Sequence, residues 1–138
     1  MTNQAEKPSD RKPTILIIDD IEPIVRTMRD GLAAFDNRVL TALSGAEGLK
    51  IFRENRVDII ICDLGMPEMN GWQVGRTIRQ ECIEKGIPKP HFILLSGWSS
   101  QIQDKQKILE SGVDSLLGKP IDLVSILKVI REIGELGA

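Results

Sequence analysis

Short apolar runs recur along the chain from residue 13 onward, and they predict β-strands. The strong runs lie at residues 14–18, 57–62, 91–95 and 113–117, with a weaker run at 38–42. In the first three strong runs the apolar side chains are mostly consecutive instead of alternating with polar ones. This pattern is typical of parallel strands that are covered by helices on both faces.

The segments between these runs have apolar residues at helical spacing. Such residues recur every four positions at Ile24, Met28 and Leu32 and again at Val74, Ile78 and Cys82, while Leu49 and Phe52 are three apart. The clearest helical period follows Pro120, with apolar residues at positions 123, 126, 127, 130 and 133. Alternating strands and helices predict an α/β fold, a doubly wound five-stranded parallel sheet between two layers of helices.

The first twelve residues differ from the rest of the chain. They are polar and show no apolar periodicity, so we expect residues 1–12 to form a flexible leader and residues 13–138 to form one domain. The leader lacks the apolar core of a secretory signal, and no later apolar run approaches membrane-spanning length. We therefore expect a cytoplasmic protein without membrane association.

Composition excludes several functional classes. The 138 residues have a formal net charge of -2, only 4% aromatic residues and no tyrosine. No basic face or aromatic platform is indicated, so direct binding of nucleic acid is not expected. Cys62 and Cys82 lie within apolar patterns, as reduced core residues do, and the lone His91 cannot form a His/Cys metal cluster.

Polar residues that can bind a ligand or react lie where the predicted strands end. Asp19 and Asp20 follow the first strand, Asp63 the third, Ser96 the fourth and Lys119 the fifth. Ligands of open parallel sheets bind beyond the carboxyl ends of the strands, so these groups should converge there. Clustered carboxylates favour a hard cation such as Mg²⁺, and a carboxylate is a competent nucleophile toward phosphorus. Taken singly, each acid could instead cap a helix and the lysine could be solvated.

These motifs together resemble the receiver domain of bacterial two-component response regulators, from Thr14 to about Ile133. The matching motifs are Asp19-Asp20, Asp63 with Met66-Pro67 and Asn70-Gly71, Ser96-Gly97, and Lys119-Pro120. The resemblance implies a flavodoxin-like (βα)5 sandwich in which Asp63 is the phosphoacceptor. It also implies that Asp20, Asp19, Asp63 and the Gly65 carbonyl hold Mg²⁺. By the same resemblance Lys119 contacts the phosphoryl group, and Ser96 hydrogen-bonds it and moves on activation.

The resemblance also implies the partners. A histidine kinase or a histidine phosphotransfer protein would supply the phosphoryl group, and the output would be a downstream protein effector or a fused domain. A homodimer is possible. Turnover of an external substrate is not expected, since a receiver domain catalyses only its own aspartyl phosphorylation and dephosphorylation.

Two positions depart from the family pattern. Leu116 stands where relatives commonly have Tyr or Phe, and the bulky Trp98 lies two residues after Ser96. An aromatic switch is therefore not expected, and Trp98 either covers an apolar patch, shields the phosphoryl site or forms part of a docking surface. Two other functions stay open: a phosphorylation-independent interaction scaffold, and a flavodoxin-like small-molecule binder, which the acidic loop after the first strand disfavours.

Overall fold

The computed structural model describes residues 12–97, 104–119 and 122–137, and it contains alternating strands and helices. In chain order they are β1 (Thr14–Ile18), α1 (Glu22–Ala33), β2 (Arg38–Ala42), α2 (Gly45–Glu54), β3 (Ile59–Asp63), α3 (Gly71–Lys85), β4 (His91–Ser96), α4 (Lys105–Ser111), β5 (Ser115–Gly118) and α5 (Leu123–Gly137). Side chains are described as far as Gly134.

All five strands form one parallel sheet in the order β2-β1-β3-β4-β5. The order reverses direction between β1 and β3, because the chain first adds β2 on one side of β1 and then β3, β4 and β5 on the other. β3 is therefore the central strand, with Ile18 paired to Cys62 and Asp63 paired to Leu95. The predicted fold class is confirmed, and its switch point lies at the carboxyl ends of β1 and β3.

The core has two halves, one on each face of the sheet. Alternate residues of β1 separate into the halves: Ile15 and Ile17 pack with α1 and α5, whereas Leu16 and Ile18 pack with α2 and α3. β1, β3 and nearly all of β4 are buried along their length, as the consecutive apolar runs predict. Cys62 and Cys82 are buried and unpaired, in agreement with the expectation of reduced core residues.

Local signals explain where several helices begin and end. Ser44, Asn70 and Asp104 each accept a hydrogen bond from the backbone N–H three residues later, which satisfies one free donor of the following helix. Gly86 and Gly112 end α3 and α4 in the left-handed conformation, which glycine adopts without a steric cost. These caps place the helix boundaries more sharply than the apolar periodicity does.

The short helix α4 is the element that the apolar pattern does not mark. Its packing uses a small residue on the neighbouring helix: a Cβ at Gly75 would lie 2.5 Å from the carbonyl oxygen of Ser111. Ser111 is buried, and its hydroxyl donates to the Lys107 carbonyl oxygen at 2.7 Å. The carboxyl end of α4 is therefore held directly against the α3 backbone, a contact that leaves no apolar signal in the sequence.

Some sequence-based expectations fall outside the described residues. These include most of the predicted leader, since Lys12 is the first described residue, and also Trp98 and Pro120. Among the described residues, no helix is long and apolar enough to span a membrane.

Candidate functional site

Three carboxylates meet at the carboxyl edge of the sheet. Asp19 and Asp20 follow β1, and Asp63 is the last residue of the adjacent central strand β3. Oxygens from all three carboxylates lie within 4.8 Å of one another. Asp19 and Asp63 are buried and Asp20 is exposed, so the cluster opens to solvent on the side of Asp20.

Lys119 provides the positive charge of the site. It follows β5, which is separated from β3 by β4, so its side chain extends past the end of β4. Its Nζ lies 2.5 Å from Asp63 Oδ1 and 4.0 Å from Asp19 Oδ2. The Lys119 backbone N–H also donates to the Ser96 carbonyl oxygen at 3.1 Å, which anchors the residue at the end of β4.

Asp19 has a buried carboxylate with few stabilising contacts. Its side chain is fully buried; Oδ1 accepts a hydrogen bond from the Ile21 backbone N–H at 3.0 Å, whereas Oδ2 has no hydrogen-bond donor among the described residues. Burial raises the pKa of Asp19, and the Asp63 and Asp20 carboxylates raise it further, against the lowering effects of the Ile21 N–H and Lys119. Loss of hydration therefore outweighs the available stabilisation of this carboxylate.

The donor set fits a small divalent cation. Among the residues that the structure describes, three carboxylates face one ammonium group, which leaves an excess of negative charge, and the buried Asp19 Oδ2 has no donor. Carboxylate oxygens are the ligands that Mg²⁺ prefers, and a cation at the cluster would neutralise the excess and satisfy the free oxygen.

The loop after Asp63 is fixed by backbone contacts. The Leu64 N–H donates to the Leu95 carbonyl oxygen and the Gly71 N–H to the Leu64 carbonyl oxygen, both at 2.9 Å. Gly71 packs so closely that a Cβ there would lie 2.7 Å from the Asp63 carbonyl oxygen. Gly65, in contrast, is exposed, and a Cβ there would meet no atom within 4 Å. The loop is thus rigid at its ends and open at Gly65.

The remaining predicted residues lie around the same edge. Ser96 ends β4 and is buried, one strand from Asp63 and beside the backbone of Lys119. Leu116 in β5 is half-buried and packs on the half of the core that contains α2 and α3. Gly97 is exposed, and a Cβ at this position would also meet open space.

One contributor to the site was missed by the sequence reasoning. The Ile21 backbone N–H binds Asp19 Oδ1 and holds that carboxylate in place. An aspartate that accepts a hydrogen bond from the backbone two residues later forms an Asx-turn, so the position of Asp19 directly before a helix was the available signal.

A second polar cluster lies at the opposite, amino edge of the sheet. Lys89 Nζ donates to Asp114 Oδ2 at 2.6 Å and to the Gly112 carbonyl oxygen at 2.9 Å, and the same Asp114 oxygen accepts from the Phe92 N–H. His91 Nε2 lies 2.9 Å from Ser115 Oγ. Burial lowers the pKa of His91, with the nearby Asp114 and Lys89 acting in opposite directions. His91 is therefore distant from the Asp19, Asp20 and Asp63 carboxylates, and its side chain contacts Ser115 of β5.

Comparison with known proteins yields a family match over most of the chain. The family described as the response regulator receiver domain matches residues 15–131. Among curated proteins, the response regulator PleD of Caulobacter vibrioides is 35% identical over 119 residues, which are 86% of this chain and 25% of PleD. The sensor histidine kinase RcsC of Escherichia coli is 33% identical over 109 residues, which are 79% of this chain and 11% of RcsC. The chain thus spans a quarter or less of these relatives.

Solved structures give the same fold. The receiver domain of Ssk1 from Saccharomyces cerevisiae, crystallised with the histidine phosphotransfer protein Ypd1, has a TM-score of 0.84 and 27% identity; the match covers 93% of this chain and 92% of that chain. The chemotaxis response regulator CheY4 of Vibrio cholerae has a TM-score of 0.76 and 27% identity, covering 88% and 98% of the two chains.

Proposed function

Since the chain belongs to the response regulator receiver domain family, we propose that it is a phosphorylation-controlled signalling module whose phosphoacceptor is Asp63. The observation that carries this proposal is the setting of Asp63. Its carboxylate ends the central strand, lies 2.5 Å from Lys119 Nζ and shares an edge with two further carboxylates. Phosphoryl transfer needs a nucleophile, a cationic group beside it and ligands for a metal ion, and these residues supply such a set.

In the proposed reaction an Asp63 oxygen attacks the phosphorus of a phosphohistidine on the partner. The new P–O bond gives an aspartyl phosphate, and the P–N bond breaks with its electron pair on the imidazole nitrogen. Lys119, already placed against Asp63, donates to an oxygen of the transferred group. Ser96 ends the neighbouring strand and would hydrogen-bond the phosphoryl group and move on activation.

We further propose that the acidic cluster holds Mg²⁺. Asp19, Asp20, Asp63 and the backbone carbonyl of Gly65 are the expected ligands, and the bound ion would neutralise the negative charge on the phosphoryl oxygens. Asp19 supports this role through its buried Oδ2, for which the described part of the chain provides no donor. The Ile21 N–H would keep the other Asp19 oxygen oriented.

The proposed partners follow from the family and from the relatives. A histidine kinase or histidine phosphotransfer protein would donate the phosphoryl group, which is supported by the Ssk1 receiver domain crystallised with a phosphotransfer protein and by the match to a sensor histidine kinase. The output would be a protein effector or a fused domain. We also propose that the protein is cytoplasmic and that residues 13–138 form the receiver unit after a flexible leader. We propose in addition that the chain can form a homodimer.

A phosphorylation-independent scaffold is the second candidate, and Leu116 is the observation that favours it. This aliphatic residue stands at the position of the usual aromatic switch and packs on the core beside α3. In this candidate the acidic cluster persists, but Asp63 does not become phosphorylated and partner binding does not depend on an aspartyl phosphate.

Incubation with a small phosphodonor such as acetyl phosphate separates these functions. With Mg²⁺ the protein should gain the mass of one phosphoryl group, and peptide mapping should place it on Asp63. The matched variant Asp63→Asn should gain none, and chelation of the metal should suppress the reaction in the unaltered chain. Absence of an adduct on Asp63 would favour the scaffold and contradict the phosphoacceptor proposal.

A further inference from the structure

An exposed apolar surface lies between the α1–β2 loop and α5. Phe35 in the loop is 61% exposed and Val124 in α5 is 72% exposed. Both line an open groove together with the half-buried Leu127 and Ile130. Single exposed apolar side chains are ordinary, whereas several that line one groove can receive the apolar side chains of a partner. We call this surface the Phe35 groove.

The Phe35 groove is separate from the acidic site. Phe35 and Asn37 directly precede β2, so they lie at the amino edge of the sheet, opposite the edge at which Asp19 and Asp63 meet. The loop is held in this shape: Asn37 is buried and donates to the Leu32 carbonyl oxygen at 2.9 Å, and Asp36 adopts a left-handed backbone conformation with φ of 64°. Phe35 is therefore presented by an ordered turn.

The charged residues that line the groove are both basic. Lys128 and Arg131 belong to α5, and neither forms an ion pair with any side chain that the structure describes. Val124 and Leu127 lie on the same helical face as Lys128 and Arg131, at relative positions 0, 3, 4 and 7. Along about 10 Å of this face, the two apolar residues come first and the two basic residues follow toward the carboxyl end of the helix.

We propose that the Phe35 groove binds an amphipathic helix of a partner protein, with aliphatic side chains against Phe35 and Val124 and carboxylates against Lys128 and Arg131. A helix suits this surface because the groove runs along α5, and helices recognise such grooves through apolar anchors at spacings of three and four. A second copy is disfavoured because a two-fold interface through this groove would bring the basic residues of both copies together, and none of the residues that line the groove is acidic. The proposal does not depend on phosphorylation of Asp63.

Synthetic helical peptides test the chemistry of the occupant. Three peptides share one leucine face and differ in the flanking residues, which are all Glu, all Gln or all Lys. Fluorescence anisotropy with the unphosphorylated full chain should give the tightest binding for the Glu peptide and the weakest for the Lys peptide. Amide chemical-shift changes should map to the α1–β2 loop and α5. Replacement of both basic residues, Lys128→Glu with Arg131→Glu, should reverse this order.

Loss of the apolar anchor provides the matched comparison. Phe35→Ser should weaken the affinity for the Glu peptide by about tenfold, as expected for removal of a central aromatic contact. Leu109→Ser removes an equally exposed apolar side chain from α4 and should leave the affinity unchanged, and circular dichroism should show both variants folded. The proposal is overturned if no peptide binds, if the Glu and Lys peptides bind equally, if the shifts map elsewhere, or if sedimentation shows self-association that Phe35→Ser abolishes.

Discussion

The two edges of the sheet arrange their charged side chains in opposite ways. At the amino edge, Lys89 and Asp114 bind each other and three backbone groups, so the charges there are paired within a local network. At the carboxyl edge, three carboxylates share one ammonium group, and an oxygen of Asp19 has no donor among the described residues. The charges at the amino edge are paired with each other, whereas the described residues of the carboxyl edge have an excess of negative charge.

The charged residues at the amino edge therefore serve stability, whereas those at the carboxyl edge are available for function. A network in which every polar group is paired stabilises the native state, and it leaves few donors or acceptors free to bind a ligand. An open cluster of like charges lowers stability, and it persists where the missing charge arrives with a ligand or metal. The comparison therefore gives a physical test: Mg²⁺ should change the stability of variants at the carboxyl edge and leave variants at the amino edge unaffected.

The largest effect is expected for Lys119→Met. This substitution removes the cation 2.5 Å from Asp63 and leaves buried carboxylates without their partner, so the free energy of unfolding should fall by about 2 to 3 kcal/mol in metal-free buffer. Urea denaturation with and without excess Mg²⁺ measures this quantity. Excess Mg²⁺ should restore much of the lost free energy of unfolding. An identical loss in both buffers would contradict the idea that a metal ion can neutralise the carboxylates at this edge.

A smaller effect is expected for Asp114→Ala at the amino edge. The Phe92 N–H and Lys89 both lose an acceptor, so the free energy of unfolding should fall by about 2 kcal/mol. The control Asp114→Asn keeps an acceptor oxygen and should lose less. Mg²⁺ should not alter either loss in the same urea assay, and recovery by Mg²⁺ would show that the two edges are not independent.

The smallest effect concerns the pH dependence of the amino edge. Burial lowers the pKa of His91 in the folded chain below its ordinary value of 6.5, so the unfolded chain takes up the proton first as the pH falls. His91 therefore costs no stability well above pH 6.5 and lowers stability progressively as the pH falls through 6.5 toward the folded pKa. Thermal denaturation from pH 8 to 5 should show a steeper loss for the unaltered chain than for His91→Gln. Parallel curves would exclude this contribution.

Much of the fold was accessible from the sequence because burial on both faces leaves a direct signature. The apolar runs that predict β1 and β2 coincide with the observed strands. The runs at 57–62 and 113–117 begin two residues before β3 and β5, because Val57 and Val113 pack on the core without joining the sheet. The apolar pattern does not predict α4, because this helix contacts α3 through Gly75 and the Ser111 backbone.

The site was accessible in part for a different reason. Parallel topology brings the carboxyl ends of strands together, so Asp19, Asp63 and Lys119 could be placed at one edge before any coordinates. Distances within the cluster, the unsatisfied oxygen of Asp19 and the Ile21 N–H contact depend on side-chain conformation and burial, which residue spacing does not encode. The exposure of Phe35 likewise depends on the left-handed turn at Asp36.

Two glycines of the β3–α3 loop show how little a residue type reveals about mutational tolerance. Gly71 lies against the Asp63 backbone, where any added carbon would collide with the carbonyl of the proposed phosphoacceptor. Gly65, six positions earlier, faces open space and can accept a larger side chain. Substitutions at position 65, on the rim of the site, should therefore be tolerated and those at position 71 excluded, although the residue type is the same at both positions.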